Sequence, residues 1–177
     1  VINSNFSINE PSEISIQFIK DSVTCLGGSD GMATSIINGG VSPYSLTWDN
    51  GDTTSMVSTF DAGYHTLVVT DFNNCIFMDS VNILEPSESI EIDSLIVSEI
   101  TCNNANNASI TVLATGGSLP YLYSNTNGFV TQNGISFINL SPNQYIIYVR
   151  DQDGCVDRDT ITIDQPDSIY IDTTIFS

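Results

Sequence analysis

Four cysteines carry the clearest chemistry in this 177-residue sequence, because they form two pairs with similar spacing. Cys25 and Cys75 lie about fifty residues apart, and so do Cys102 and Cys155. Zinc sites bring cysteines together at short spacings such as Cys-x2-Cys, which this sequence lacks. We therefore predict the disulfides Cys25–Cys75 and Cys102–Cys155, each stabilising its unit by roughly 4 kcal/mol on the chain-entropy model. Such bonds persist in oxidising compartments, which predicts an extracellular or cell-surface location.

Two acidic loops raise the question of a calcium site. Asp71 and Asp151 each stand four residues before a cysteine, in loops rich in Asp, Asn and backbone carbonyl groups. Such oxygen atoms suit Ca²⁺, but no segment matches the full twelve-residue helix-loop-helix calcium pattern. Asp and Asn are also the commonest turn-forming residues. We therefore interpret both loops as turns, keep calcium as the weaker alternative, and expect no other metal or cofactor.

A short hydroxyl-bearing pattern, Asp-Ser/Thr followed by a small apolar residue or threonine, occurs seven times. It resembles the O-glycosylation acceptor motif of exported Bacteroidetes proteins, although a Thr-rich and Asp-rich β protein also produces such triplets by composition. Ser80 and Thr160 are equivalent in an internal repeat, and their neighbours Val81 and Ile161 should point inward and leave the hydroxyls exposed. We therefore expect O-glycans at most of the seven. The candidate hydroxyls are those of Ser22, Thr53, Ser80, Ser94, Thr160, Ser168 and Thr173.

An internal repeat of about 77 residues must position these groups. The segment Gly-Gly-Val-Ser-Pro-Tyr at 39–44 returns as Gly-Gly-Ser-Leu-Pro-Tyr at 116–121. Pro11, Pro86 and Pro166 each end an Ile-x-x-Pro segment and are followed by alternating apolar residues. The predicted boundaries are the end of a preceding repeat at 1–11, one unit at 12–86, a second unit at 87–166, and the start of a following repeat at 167–177.

Hydrophobic residues alternate with period two along most of the chain, and no sustained 3.6-residue period occurs. We predict strands in the first unit near 14–20, 32–38, 43–49, 54–60, 64–71 and 76–84. In the second unit we predict strands near 90–98, 108–115, 120–125, 129–139, 144–151 and 156–163. Short strands with frequent turns predict an all-β chain of two tandem immunoglobulin-like β-sandwiches.

Two ring-bearing residues distinguish the first unit from the second. Trp48 aligns with Asn125, so any recognition specific to one unit would be sought there, by stacking of the indole on a sugar ring. The alternative is that Trp48 belongs to the sandwich core, as strand aromatics usually do. His65 aligns with Tyr145 and has no second histidine or nucleophile as a partner, so we interpret it as a half-buried packing residue.

The charge balance excludes whole classes of partner. Three basic residues stand against 21 acidic ones, which excludes nucleic acid because phosphate must be neutralised by Lys and Arg. An anionic membrane surface would repel the chain, and no apolar run approaches the 18 residues that direct membrane insertion needs. We expect any export signal or membrane anchor to lie outside these residues.

The order of residues in each unit resembles the SprB-type repeat of giant Bacteroidetes cell-surface adhesins, including those of gliding motility. The second unit departs from the pattern at Asn107-Ala108, Asn125 and Arg150, and the first at His65. In the first unit the pattern comprises Cys25, Asp30-Gly31, Gly39-Gly40, Pro43-Tyr44, Trp48, Asn50-Gly51, Gly63, Val69-Thr70-Asp71, Cys75 and Pro86. The second keeps Cys102, Gly116-Gly117, Pro120-Tyr121, Gly128, Tyr145, Val149, Asp151, Cys155 and Pro166.

The resemblance implies a tandem array exported by the type IX route and displayed on the cell surface. The leading hypothesis is a non-catalytic structural segment of a repetitive adhesin or extracellular filament, whose partners are adjacent repeats. The alternative is a carbohydrate-binding or other ligand-binding module that contacts surface glycans. No nucleophile–base pair, metal cluster or phosphate loop is recognisable, so we do not predict an enzyme.

Overall fold

The computed structural model describes residues 10–126 and 135–169, and these residues form strands, turns and loops without a helix. The chain divides into a first unit, Val1–Ser87, and a second unit, Glu88–Ser177. The described strands of the first unit are β1 (Ser15–Asp21), β2 (Gly31–Asn38), β3 (Ser45–Trp48), β4 (Met56–Phe60), β5 (Gly63–Thr70) and β6 (Ile76–Ile83). Those of the second are β7 (Glu91–Ser98), β8 (Ala108–Thr115), β9 (Leu122–Ser124), β10 (Ser136–Leu140), β11 (Asn143–Arg150) and β12 (Val156–Ile163).

Each of these strands overlaps a predicted one. The strand predicted at 129–139 is represented by β10, and its residues 129–134 lie outside the described residues. Most of the predicted fragments of neighbouring repeats, at residues 1–9 and 170–177, also lie outside them.

The first unit consists of two antiparallel sheets, with strand orders β1-β2-β4 and β3-β5-β6. The chain changes sheet between β2 and β3, again between β3 and β4, and again between β4 and β5. These crossings place the two sheets face to face with the core between them. This arrangement is an immunoglobulin-like β-sandwich.

Period-two alternation explains which side chains fill that core. Along β5, Leu67 and Val69 are buried, whereas Tyr64 faces solvent. Along β6, Val81 and Ile83 are buried. The remaining buried hydrophobic residues of this core are Ile14, Val23, Ala33, Trp48, Val57 and Phe60.

The second unit repeats the architecture with sheets β7-β8-β10 and β9-β11-β12, also antiparallel. Ile147 and Val149 of β11 are buried at the positions that Leu67 and Val69 occupy in β5. The other buried members of its core include Ile90, Ile110, Val112, Phe137, Leu140 and Ile163. The predicted fold class, two tandem immunoglobulin-like sandwiches in an all-β chain, is confirmed.

Candidate functional site

A buried carboxylate organises the end of the first unit at which the chain enters it. Asp71 begins the five-residue loop between β5 and β6, and its Oδ1 accepts hydrogen bonds from the N–H groups of Asn73 and Cys75, both at 2.8 Å. Its Oδ2 accepts a hydrogen bond from Val41 N at 3.0 Å. The N–H of Gly40 donates to the carbonyl of Ser12 at 2.7 Å. The loop, the Gly-Gly turn and the incoming chain are therefore held together, and we name this end of a unit the proximal end.

The proximal end of the second unit is built in the same way. Asp151 is buried, and its carboxylate accepts N–H bonds from Ser118 at 3.0 Å and from Cys155 at 2.8 Å. The backbone of Gly116 lies so close to the incoming chain that an added Cβ would stand 1.9 Å from the carbonyl oxygen of Ser89. Only glycine fits there, which explains why the Gly-Gly pair recurs.

Hydrogen bonding keeps the Asp71 carboxylate ionised. Burial raises the pKa of this group, because the charged form loses hydration. Hydrogen bonds from the N–H groups of Cys75, Val41 and Asn73, with a further one from the Cys75 side chain, outweigh burial and hold the pKa below its ordinary value. The carboxylate therefore acts as a charged staple between two loops.

This role bears on the calcium alternative. The oxygen atoms of Asp71 and Asp151 already accept backbone N–H bonds, which a bound cation would have to replace. Within residues 10–126 and 135–169, no group of three or more His, Cys, Asp or Glu side chains is arranged to hold a metal ion. Turn formation accounts for both aspartates, and calcium binding stays a prediction.

The opposite, distal end of each unit contains the loop that follows its first strand. In the first unit Val23 N donates to Leu84 O at 2.8 Å, and Gly27 N donates to Glu85 Oε2 at 2.8 Å. The same loop is closed by Asp30, whose pKa is lowered by hydrogen bonds from the side chain and backbone of Thr24. The Cys25 loop is thus attached to the residues at which the chain leaves the unit.

The second unit uses equivalent residues at its distal end. Asn104 N donates to Gln165 Oε1 at 2.9 Å, and the side-chain amide of Asn103 donates to Pro166 O at 2.9 Å. Asn107 takes the place of Asp30 and exchanges hydrogen bonds with Thr101. Gln165 and Asn107 thus perform with neutral amides what Glu85 and Asp30 perform with carboxylates.

The predicted cysteine pairs within each unit are wrong. Cys75 and Cys102, one member of each predicted pair, carry exposed free thiols. The reason is the direction of β6, which runs from Cys75 at the proximal end to Leu84 at the distal end, a rise of about 30 Å. Since a disulfide needs Cα atoms closer than about 7 Å, Cys25 and Cys75 are too far apart to bond. The strand β12 separates Cys155 from Cys102 in the same manner.

Trp48 is a core residue, so the structure does not support its prediction as a ligand-stacking residue. Its side chain is 2% exposed and packs against Phe18 and Phe60, with ring centroids 5.8 Å and 5.1 Å away. The indole Nε1–H donates to Thr54 O at 2.9 Å, which satisfies the one polar group of the ring. The pattern could have shown this, because Trp48 and Leu46 alternate with the outward residues of β3.

His65 packs as predicted. Its ring stacks on Phe60 with a centroid separation of 3.9 Å, and its Nε2 lies 3.0 Å from the carbonyl oxygen of Asp61. The other ring nitrogen lies 3.4 Å from Asp49 Oδ1. His65 thus packs against Phe60, a residue of the first unit's core.

Most of the candidate glycosylation hydroxyls are accessible. Ser80 and Thr160 are exposed on β6 and β12, while the following residues, Val81 and Ile161, turn inward as predicted. Ser22 and Thr53 are exposed, and Ser94 and Ser168 are half-buried. Thr173 lies outside the described residues. Accessibility permits modification at these positions, and the modification itself stays a prediction.

Comparison with known families gives one match in each unit. Residues 18–53 and 94–128 match the model of the SprB repeat. Each unit thus contains a segment that is similar to the SprB repeat. Each matched SprB segment begins in the first strand of its unit and contains the distal cysteine and the Gly-Gly turn. The resemblance inferred from the sequence motif is confirmed, and the match supports a repeat module of the surface-adhesin type.

Solved structures give weaker similarities. The similarity to a 282-residue C-terminal fragment of intimin, solved in complex with the intimin-binding domain of its translocated receptor, covers 88% of this chain and 64% of that fragment. The sequence identity is 14% and the TM-score is 0.38. The chain thus spans less than two thirds of that fragment. The similarity to murine CEACAM1b covers 87% of this chain and 100% of the CEACAM1b chain, with 13% sequence identity and a TM-score of 0.35. The similarity to the structure of Dpr11 IG1 bound to DIP-gamma covers 86% of this chain and 98% of that chain, with 9% sequence identity and a TM-score of 0.31.

The search of curated proteins gives no match. The described chain also offers no helix that could serve as a membrane span. The SprB repeat match and the geometry of the two ends of each unit are therefore the observations on which a function must be built.

Proposed function

We propose that this chain is a non-catalytic structural segment of a secreted, surface-displayed repetitive adhesin or extracellular filament. The observation that carries the proposal is that both units use the same proximal and distal devices to hold the chain where it enters and leaves. Asp71 and Asp151 hold the Gly-Gly turn that lies against the incoming chain, and Glu85 and Gln165 hold the outgoing chain through a side-chain oxygen. A unit whose two termini are both anchored at opposite ends is suited to transmit tension along an array.

The segment between the units supports the same proposal. Hydrogen bonds reach Glu85 from the first unit, and Ile90 is already buried in the core of the second. Only four residues separate them, Pro86, Ser87, Glu88 and Ser89, which are too few to form a long flexible linker. Adjacent repeats of the same chain are therefore the partners that we propose.

The remaining features of the proposal follow from the resemblance to the SprB repeat. They are export by the type IX route in a Bacteroidetes cell, display at the cell surface, and O-glycans on exposed Asp-Ser/Thr hydroxyls such as Ser80 and Thr160. No cofactor is assigned. The glycan-binding alternative receives no support from the structure, because its candidate residue, Trp48, is buried.

Surface labelling tests the proposal. Antibodies raised against the 177-residue chain should label intact cells, and brief external proteolysis should remove the signal. Labelling that requires permeabilised cells would rule out a surface filament. For the glycans, the intact mass of the native segment should exceed the 19.1 kDa of the bare chain, with peptide mapping placing the added mass on Ser80 and Thr160. A native mass equal to that of the bare chain would refute the glycan assignment.

Calcium is tested separately by calorimetric titration of chelator-treated protein with millimolar Ca²⁺. Binding that disappears in Asp71→Asn and Asp151→Asn would assign the ion to the proximal loops. No heat of binding is expected if these carboxylates serve only as hydrogen-bond staples.

A further inference from the structure

The second unit carries a basic cluster on the outer face of one of its sheets. Two of the three basic residues of the chain, Arg150 and Arg158, lie on the neighbouring strands β11 and β12. Arg158 is the direct cross-strand partner of Tyr148, and Arg150 follows Tyr148 by two residues on β11. Directly paired residues share a face of the sheet, and so do residues two apart on one strand. We name these three side chains the arginine patch.

The acidic neighbours of Arg158 in the sequence do not share this face. Asp157 and Asp159 alternate with Arg158 along β12, so their side chains point to the other side of the sheet. The Asp157 carboxylate accepts a hydrogen bond from Ile92 N at 2.8 Å, and Asp159 Oδ1 accepts one from Thr160 N at 2.6 Å. Arg158 itself is exposed. The arginine patch is therefore a local concentration of positive charge in a chain whose net charge is −18.

A cavity of about 350 Å³ adjoins the arginine patch, with Tyr148 in its wall. Its volume lies within the range of about 300–1,000 Å³ that is typical of small-molecule sites. Three amide side chains, those of Asn125, Asn143 and Gln144, line it together with the hydroxyl of Thr126. Each of these groups is both a hydrogen-bond donor and an acceptor. The cavity is therefore suited to a neutral polar ligand group that also donates and accepts.

The first unit carries different residues at the equivalent positions. With Asp71 and Asp151 aligned, the places of Tyr148, Arg150 and Arg158 are taken by the uncharged residues Val68, Thr70 and Met78. Since both units form the same sandwich, the fold itself does not require the arginine patch. A function specific to the second unit accounts for it.

We propose that the arginine patch and the adjoining cavity bind a short acidic saccharide. The guanidinium groups of Arg150 and Arg158 pair with a carboxylate of the sugar, for which their planar sets of N–H donors are suited. The amides of the cavity exchange hydrogen bonds with the sugar hydroxyls, which are likewise donors and acceptors. The ring of Tyr148 offers an apolar face to the sugar ring. This site uses none of the contacts of the buried Trp48, and it goes beyond the structural role proposed above.

The distribution of charge favours a short ligand over a long polyanion. The 21 acidic residues of the chain would repel a polyanion that extends past the arginine patch. At physiological ionic strength such repulsion is screened beyond about 8 Å, so a ligand confined to the patch and the cavity interacts mainly with the two arginines. An acidic peptide would also pair with the arginines, but its side chains bring no hydroxyl groups to the cavity amides.

Calorimetric titration of the 177-residue chain tests the proposal, with tetragalacturonate, tetramannuronate and sialyllactose as the probes. We expect at least one of them to bind, and its binding to weaken when NaCl is raised from about 50 mM to about 500 mM, because salt screens the arginine–carboxylate pair. The methyl ester of the same probe lacks the charge and should bind about tenfold more weakly or not at all. Absence of binding by all three probes would overturn the proposal, and so would equal binding of the ester.

Variants that copy the first unit locate the site without introducing residues foreign to the fold. Arg158→Met and Arg150→Thr place in the second unit the residues that the first unit carries at the equivalent positions. Each should weaken binding by about tenfold or more. Met78→Ala, on the exposed face of the first unit, is the matched control and should leave binding unchanged. Unchanged binding by Arg158→Met, with circular dichroism confirming that the variant is folded, would overturn the assignment, as would an equal loss in Met78→Ala.

A pentaglutamate peptide distinguishes a saccharide from an acidic protein segment. It should bind at least about tenfold more weakly than the best saccharide, because it leaves the cavity amides without sugar hydroxyls. Pentaglutamate binding that equals or exceeds saccharide binding would overturn the saccharide assignment. Surface display plays no part in these titrations, so a failure of surface labelling and a failure of this site are separate results.

Discussion

Val41 donates its backbone N–H to the buried carboxylate of Asp71 at 3.0 Å, across 30 residues of sequence. The second unit repeats this contact at 3.0 Å between Ser118 and Asp151. The donor residue differs between the units because only its backbone takes part, whereas the acceptor must be a carboxylate. A buried aspartate, rather than an exposed acidic residue, therefore closes the proximal end of each unit.

Replacing Asp71 with Asn should destabilise the first unit at neutral pH and remove part of its acid sensitivity. The amide has one acceptor oxygen in place of two, so a buried N–H is left unpaired. The pKa of Asp71 is depressed by its backbone hydrogen bonds, so its stabilising effect is complete above the unfolded pKa near 4 and is lost as pH falls through the folded value. The difference in Tm between wild type and variant should therefore narrow on acidification from about pH 6 to below about pH 3.

Thermal unfolding followed by circular dichroism at a series of pH values measures this difference. Asp21→Asn is the matched control, because Asp21 is an exposed acidic residue at the end of β1. The control should change Tm by little at any pH. A Tm difference for Asp71→Asn that stays constant over the whole pH range would contradict the stabilising role of the ionised Asp71 carboxylate.

Alanine substitutions at Gly39 and Gly51 distinguish the cost of backbone strain from the cost of steric overlap with the incoming chain. Gly39 and Gly51 both have positive φ, 76° and 85°, so alanine is strained at either position. At Gly39 a Cβ would also stand 1.9 Å from the backbone carbonyl oxygen of Glu13, whereas at Gly51 nothing lies within 4 Å. We expect Gly51→Ala to cost about 1 kcal/mol and Gly39→Ala more than about 3 kcal/mol.

Urea denaturation gives both values. Because the two variants share the same backbone strain, the difference between them reports the close approach of the incoming chain alone. Equal destabilisation by the two substitutions would show that the incoming chain is not held against the turn.

Trp48→Ala should remove the largest side chain of the first core. The ring is 2% exposed and contacts two other aromatic residues, so truncation is expected to cost about 3–5 kcal/mol. Tyr64→Ala is the control, since Tyr64 is 74% exposed on β5. The control should stay within about 0.5 kcal/mol of wild type. A Trp48→Ala protein of unchanged stability that had lost glycan binding would restore the ligand hypothesis.

Local sequence patterns are sufficient to predict the strands and the direction in which their side chains point. Period-two alternation places Val81 inward and Ser80 outward without knowledge of any partner strand. The cysteine pairs required more, because two cysteines in one repeat need not lie at one end of the sandwich. Their separation depends on the direction of β6 and β12, and the burial of Asp71 depends on a turn about thirty residues away. Such long-range relations have no local signature.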